Sequence, residues 1–355
     1  MHRLRHSLIW FPPLAGAASL FLGAGAIPPL LLGIVLIVTV LAAVHHAELI
    51  AHKLGEPFGT FLLALAVTVI EVGLILTLML QGKAGAETLA RDTVFSAVMI
   101  ILNGLLGAFI LLGALRHHEQ SFQQVGVSAS LATLCTLTVL TLVLPNFSSS
   151  AGPFYAPSQL AFVAIVSLLL YLTFVTVQTV RHRDYFLPPE EAAADPEAHA
   201  PAPTGGQALL SGGILIACLV EVVLLAKALA PAIEEGVAGA GLPHAVVGVV
   251  IAALVLLPES VAAVRAAMAD RLQTSLNLAL GSALATIGLT IPAVAMLSLV
   301  QGLPLALGLD SRGIVLLSLT LLVTTQSLAT ARTTVLQGVV HLVIFGVFVF
   351  TTLVP

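Results

Sequence analysis

Charge is what this chain has least of. Of its 355 residues only 8% are charged, 13 basic and 17 acidic, where an ordinary soluble domain carries about 25%. So few ionic side chains cannot cover the surface of a globule of this size, and a water-soluble fold is excluded. Aromatics are also scarce. One Trp, three Tyr and a net charge of −4 leave neither a basic stripe nor stacking platforms, which argues against nucleic acid as a partner. The two cysteines, Cys135 and Cys218, both lie inside apolar runs, so there is no disulfide framework and no ligand-spaced thiol pair. They read as small core residues. No His-Glu-x-x-His sequence, nucleophile elbow or phosphate-binding glycine loop occurs, and the chain offers no enzyme's machinery.

What is present is apolar length. Hydrophobic residues make up 59% of the chain, and the mean hydropathy is +1.10. A bilayer core of about 30 Å takes about 20 apolar residues per helix. Runs of that order fall at 7–25, 27–46, 59–80, 94–115, 126–144, 157–180, 208–231, 243–264, 274–302, 312–330 and 333–353. The expected class is an all-α polytopic membrane protein with about 11 transmembrane helices. The basic start Met1-His2-Arg3-Leu4-Arg5 is followed by no convincing cleavage site, so the first run is expected to be a retained span.

Lys and Arg collect in cytoplasmic loops. With a cytoplasmic N-terminus, Arg3, Arg5, Lys53, Arg116, Arg181, Arg183, Arg265, Arg271 and Arg332 share the inner face. Lys83, Arg91, Lys227 and Arg312 take the other. The N-terminus is therefore expected inside and the C-terminus outside. The longest hydrophilic interruption, 181–207, holds Glu190, Glu191, Asp195 and Glu197 among Pro and Ala. It reads as a disordered cytoplasmic linker or as an acidic segment that concentrates cations.

Setting aside the N-terminal span, 1–26, five spans precede the linker (27–180) and five follow it (208–355). Five is odd, so two related halves must lie in the membrane with opposite orientation, as in inverted-repeat secondary transporters. Corresponding spans carry matching marks. Gly55-Glu56-Pro57 opens the span of Glu71 and Gly241-Leu242-Pro243 opens that of Glu259. Ser96 with Asn103 in one half answers Ser275 with Ser282 in the other, after the charged pairs Arg91-Asp92 and Asp270-Arg271.

Glu71 sits among apolar residues, where a carboxylate costs about 2.5–3.5 kcal/mol on insertion scales. Glu259 follows Pro258, and a proline within a helix leaves carbonyls free beside it. Two acids at matching places in inverted halves read as a midplane site for a hard cation, with Ca2+ or Na+ preferred by oxygen ligands. Each acid, taken singly, also admits a packing role. Thr68, Asn103 and Ser282 are supporting candidates, although such side chains also serve as helix-to-helix hydrogen bonds, as Asn277 and Thr286 can. Glu221, a third intramembrane acid with Glu48 as a loose counterpart, lines a vestibule or carries protons. The histidines His45, His46 and His52 suit an interfacial or pH-responsive role better than a transition-metal site. His341 reads as a packing residue.

These residues carry a family resemblance. Pro258-Glu259-Ser260-Val261-Ala262-Ala263-Val264, Ala267-Met268-Ala269-Asp270-Arg271, Ser275-Leu276 and Gly281-Ser282 resemble the second signature of the calcium/cation exchanger superfamily. Ile70-Glu71-Val72 resembles the first, and Leu54-Gly55-Glu56-Pro57-Phe58-Gly59 is similar to the bacterial calcium/proton (sodium-potassium/proton) antiporter branch. The family pattern has an asparagine three residues before each glutamate, where this chain has Thr68 and Leu256.

The resemblance implies a secondary transporter of the bacterial inner membrane, with no cofactor. It implies Ca2+ export in exchange for H+ by alternating access at Glu71 and Glu259, with Na+/H+ or K+/H+ antiport as the alternative. Its partners would be inorganic cations, protons and the lipid bilayer. A passive channel, by contrast, would conduct without proton coupling. The sequence sets no oligomeric state.

Overall fold

The computed structural model describes residues 27–54, 58–82, 85–148, 152–187 and 203–354, together with Gly16 and Ala18. Apart from Gly16 and Ala18, the expected first span, 7–25, thus lies outside the described residues, as does most of the acidic interruption. Ten helices follow one another among those described. They are α1 (Pro29–Leu54), α2 (Phe58–Met79), α3 (Ala86–His117), α4 (Gln124–Phe147), α5 (Pro157–Arg181), α6 (Gly205–Gly239), α7 (Ala245–Met268), α8 (Leu272–Gln301), α9 (Ser311–Ser327) and α10 (Val335–Leu353). Each falls on one of the apolar runs marked from the sequence. Seven are long and apolar enough to cross a bilayer, and α7 makes an eighth when taken across its bend. This is a multi-span membrane protein.

Hydrocarbon offers no hydrogen bonds to a backbone, so apolar runs of this length can only close their bonds internally, as helices. Their ends are marked by caps that the sequence supplies. Thr204 and Gln207 form a capping box at α6, Thr334 and Gln337 another at α10, and the Asp310 carboxylate accepts the Gly313 N–H at 2.7 Å at the start of α9. The α7 axis turns by 53° between Ala245–Leu257 and Glu259–Met268. The residue at the turn is proline, which lacks the N–H that a straight helix needs there.

Two apolar cores meet along α2 and α7. One is built from α1 and α6, with Leu36, Val40, Val222 and Leu225 fully enclosed. The other is centred on α3 and α8, with Leu102, Phe109, Leu280 and Ile287. Helix α2 gives Ile70 and Leu74 to the first core and Ile75 and Met79 to the second; α7 gives Ile251 and Val255 to the first and Leu256 and Ala263 to the second. On a helix, residues three and four apart share a face. Glu71 therefore shares a stripe with Thr68 and Ile75, and Glu259 shares one with Leu256 and Ala263, both on the side turned to α8. Helix α7 crosses α3 closely at Gly248, where a Cβ would lie 2.9 Å from the Asp92 carbonyl carbon.

The contacts between helices 29–181 and helices 205–353 come in reciprocal pairs. Helix α3 contains a π-helical segment, Ile100–Leu105, packed on α10 and α9; α8 contains another, Thr286–Thr290, packed on α5 and α4. The loop strands are paired in the same way. Strand β1 (Gln120–Ser121) after α3 pairs antiparallel with β2 (Arg332–Thr333) before α10, while Phe154, before α5, bridges to Ala306, after α8. Gln120 Nε2 donates to Ala267 O at 2.9 Å and to Asp270 at 2.8 Å, beyond the end of α7. In the other group, Ala306 N donates to Glu87 O at 2.9 Å and Arg91 donates to Gly308 O at 3.1 Å, at the start of α3.

Candidate functional site

Glu71 on α2 and Glu259 on α7 are only 3% and 5% exposed. Both are bonded to one helix. The Thr286 hydroxyl donates to Glu71 Oε2 at 2.7 Å, and the Ser282 hydroxyl donates to Glu259 Oε2. Ser282 and Thr286 are four residues apart on α8, one turn, so their side chains lie about 5–6 Å from each other on one face. A single turn of helix thus gathers two carboxylates from two different helices. Glu71 Oε1 is buried with no hydrogen-bond partner among the described residues.

The bend in α7 and the π-segment of α8 both fall here. Glu259 is the first residue past the 53° turn, and Thr286 is the first residue of the π-segment. Departures from α geometry of this kind re-aim side chains and loosen backbone carbonyls, and they gather at functional positions. The donors gathered are all oxygen: two carboxylates and two hydroxyls. Such a set suits a hard cation, and it also holds protons. Among the described residues no group of three or more His, Cys, Asp or Glu is arranged to hold a metal ion.

Of the residues marked from the sequence, the structure brings Glu71, Glu259 and Ser282 together. Thr68 is buried one turn before Glu71 on the same stripe. Asn103 is elsewhere: its amide donates to Thr320 Oγ1 at 2.9 Å, and its carbonyl faces His341 Nδ1 at 3.3 Å. Glu221 stands on the α1 side of α6, where a Cβ on Gly16 would lie 2.5 Å from its Oε2 and 3.3 Å from Thr39 Oγ1. It is not bonded to the carboxylate pair. Asn277 ties α8 to the end of α5, donating to Phe186 O at 2.6 Å. His45 and His46 stack edge to face toward the end of α1.

The partner of Glu71, Thr286, was one hydroxyl among several in the sequence. Its spacing of four from Ser282 is the signal that could have found it, because residues three or four apart share a helix face. Nothing in the sequence pairs it with α2 rather than α7.

The family model for sodium/calcium exchanger proteins matches residues 28–180 and 210–354, two blocks parted at the acidic interruption. A Sinorhizobium fredii protein described only as an ionic transporter is 52% identical over 317 residues, covering 89% of this chain and 86% of its own. The sodium-potassium/proton antiporter ChaA of Escherichia coli is 32% identical over 356 aligned positions, covering 98% of this chain and 96% of its own. Among solved structures, the Ca2+/H+ antiporter protein YfkE superposes with a TM-score of 0.71 at 14% identity, over 98% of this chain and 99% of that one. The chain belongs to the sodium/calcium exchanger family of membrane cation exchangers, in its bacterial cation/proton antiporter branch.

Proposed function

We propose that this protein is a secondary cation/proton antiporter of the bacterial inner membrane that exports Ca2+ in exchange for H+ at Glu71 and Glu259. The observation that carries the reading is the α8 turn. Ser282 and Thr286 hold two buried carboxylates side by side and leave one oxygen, Glu71 Oε1, with no bonded partner among the described residues. With both acids ionised, the site offers two negative charges and hydroxyl oxygens to a divalent cation. With both protonated, the charge that held the cation is gone, so protons and cation compete for the same groups. Competition at one site, with access alternating between the two faces, is sufficient for exchange.

The architecture that goes with this reading is an N-terminal span and two inverted five-helix halves, 27–180 and 208–355, joined by a cytoplasmic linker at 181–207. The reciprocal contacts of α3 with α10 and of α8 with α5, and the two reciprocal loop pairings, support it. In that frame the N-terminus is cytoplasmic and the C-terminus outside. A small apolar cavity lined by Leu36, Leu74, Leu78, Ala230, Glu234 and Leu254 begins one turn beyond Glu71 along α2. Its lining has one acid and no room for a hydrated ion, which supports a closed passage on that side. Thr68 and Ser282 act as supporting groups. Asn103 and Glu221 act away from the carboxylate pair, Glu221 on the α1–α6 side.

A second reading, Na+/H+ or K+/H+ antiport, is favoured by the similarity to ChaA along almost the whole chain. One experiment separates the two. Proteoliposomes loaded acid inside receive Ca2+, Na+ or K+ outside, and proton release is followed for the native chain, Glu71→Gln and Glu259→Gln. Release driven by Ca2+ and lost in both variants is expected. Release driven only by the monovalent ions makes the second reading the function. Full activity in both variants would return the glutamates to a packing role.

A further inference from the structure

Behind the site, on the far side of the first π-segment, lies a chain of polar side chains that the exchange chemistry does not use. His341 of α10 and Asn103 of α3 are both 0% exposed, as is Thr320 of α9, and Ser327 is nearly so. Because Asn103 Nδ2 donates to Thr320 at 2.9 Å, its carbonyl oxygen is the atom that faces His341 Nδ1 at 3.3 Å. A carbonyl only accepts, so Nδ1 carries the proton. The other ring nitrogen, Nε2, then accepts from the Ser327 hydroxyl at 3.2 Å. At the opposite end the Thr320 hydroxyl meets Met99 Sδ at 3.4 Å. Donors and acceptors alternate without a break from Ser327 through His341, Asn103 and Thr320 to Met99, across three helices.

This chain grips a segment of irregular helix. Asn103 lies within the π-segment Ile100–Leu105, which packs on α9 and α10 on one side and on α7 and α8 on the other. Those last two helices carry Glu259, Ser282 and Thr286. A π-turn has one residue more than an α-turn, so it offsets the faces of the helix on either side of it, and such turns gather at functional positions. Shape also holds this one. A Cβ on Gly107 would lie 3.0 Å from His341 Cβ, and one on Gly104 would lie 3.2 Å from the Phe345 ring. Among the described residues the π-segment of α8 has a single side-chain tie of this kind, Thr286 to Glu71, and its partner is the site's own carboxylate. Thr290 Oγ1 within the segment, and Ser167 Oγ on α5 against which it packs, are buried without hydrogen-bond partners among the described residues.

We infer that His341 is a positioning residue for cation binding. It fixes the register of the α3 π-segment through Asn103 and so holds one wall of the carboxylate site still while the α8 segment is left to adjust. The inference rests on the exchange reading above, and its test tells the two apart. Proton release from proteoliposomes containing the full chain is measured against concentration of Ca2+, or of Na+ or K+ if Ca2+ drives none, for the native protein, His341→Ala, His341→Gln and Thr320→Val. If none of Ca2+, Na+ and K+ drives proton release from the native chain, the exchange reading fails. If it is active, His341→Ala is expected to raise KM roughly five- to ten-fold with maximal rate nearly unchanged, the pattern of weakened binding. His341→Gln, whose amide again donates and accepts, is expected to recover most of the loss. Thr320→Val, which removes one link and keeps the shape, is expected to fall between. A native KM in both folded His341→Ala and Thr320→Val overturns the inference, even where their thermal stability drops. Should His341→Ala fail to assemble, Thr320→Val alone decides: a raised KM supports it and a native KM overturns it.

Discussion

The long helices α3 and α8 occupy reciprocal places, yet they serve the site differently. Aligning Ser96 with Ser275 sets Asn103 against Ser282 and Gly107 against Thr286. On α8 both positions carry hydroxyls, and both hydroxyls reach a carboxylate. On α3 the first position is drawn away to Thr320 and His341, and the second has no side chain and lies flush against α10. The two groups of helices pair reciprocally, but the hydroxyls that bond the carboxylates both come from α8, while the corresponding stretch of α3 is tied to α9 and α10, the brace proposed above. An exchanger needs both: a site that changes its contents, and a surround that does not dissolve when it does.

The largest effect expected is on the carboxylates themselves, where the two halves contribute equally. Glu71→Gln and Glu259→Gln should each lower exchange about 100-fold or more, the effect of about 3 kcal/mol, since each leaves a buried charge pattern half made. A large loss in one and a small one in the other would break the comparison at its centre. Next come the hydroxyls, where the halves should differ. Thr286→Val removes the hydrogen bond that the described residues give Glu71, and a bond to a charged group contributes about 1.5–3 kcal/mol, so a weakening of cation binding of roughly ten- to a hundred-fold is expected. Ser282→Ala and Asn103→Ala sharpen the contrast: the first should raise KM at the site directly, the second only through the wall.

The dependence on pH has a definite sign. Protons and cation compete, so raising pH should lower the KM for cation, and acidifying should raise it until exchange stalls. Kinetics of cation-driven proton release between pH 6 and pH 8, at about one-unit spacing, would check it. A KM flat across that range would separate proton binding from the cation site and assign it to another acid, with Glu221 the next in line.

The spans were legible because hydrocarbon enforces a length and forbids open backbone; every one of the ten described helices coincides with a run read from hydropathy. The two glutamates stood out for the same reason in reverse, since a carboxylate in such a run is costly, and the structure places both, buried, on one turn of α8. What could not be read was direction. Asn103 and Ser282 are equivalent as letters, but which neighbour a small polar side chain meets depends on helix rotation, and the π-segments alter that rotation in a way no hydropathy pattern records. His341 was masked by its isolation. A lone histidine in an apolar helix looks like packing until the three helices that complete its hydrogen bonds are brought beside it.

The smallest effects expected are steric, and they test whether the α8 segment is held by shape where the α3 segment is held by polar bonds. A Cβ on Gly288 would lie 2.6 Å from both Cβ and Cγ of Tyr171 on α5, too near the root of that side chain for it to swing clear. On Gly107 the closest approach is 3.0 Å, to His341 Cβ and Leu342. Overpacking costs about 1–3 kcal/mol, so Gly288→Ala should lower the melting temperature in detergent more than Gly107→Ala does. The kinetic order should be the opposite. Gly107→Ala presses on the helix that carries the polar brace and should raise KM, whereas an adjustable α8 segment absorbs the extra methyl with less change in KM. If Gly288→Ala proves the more damaging on both scales, the two segments are braced alike, and the division into a fixed wall and an adjustable one does not hold.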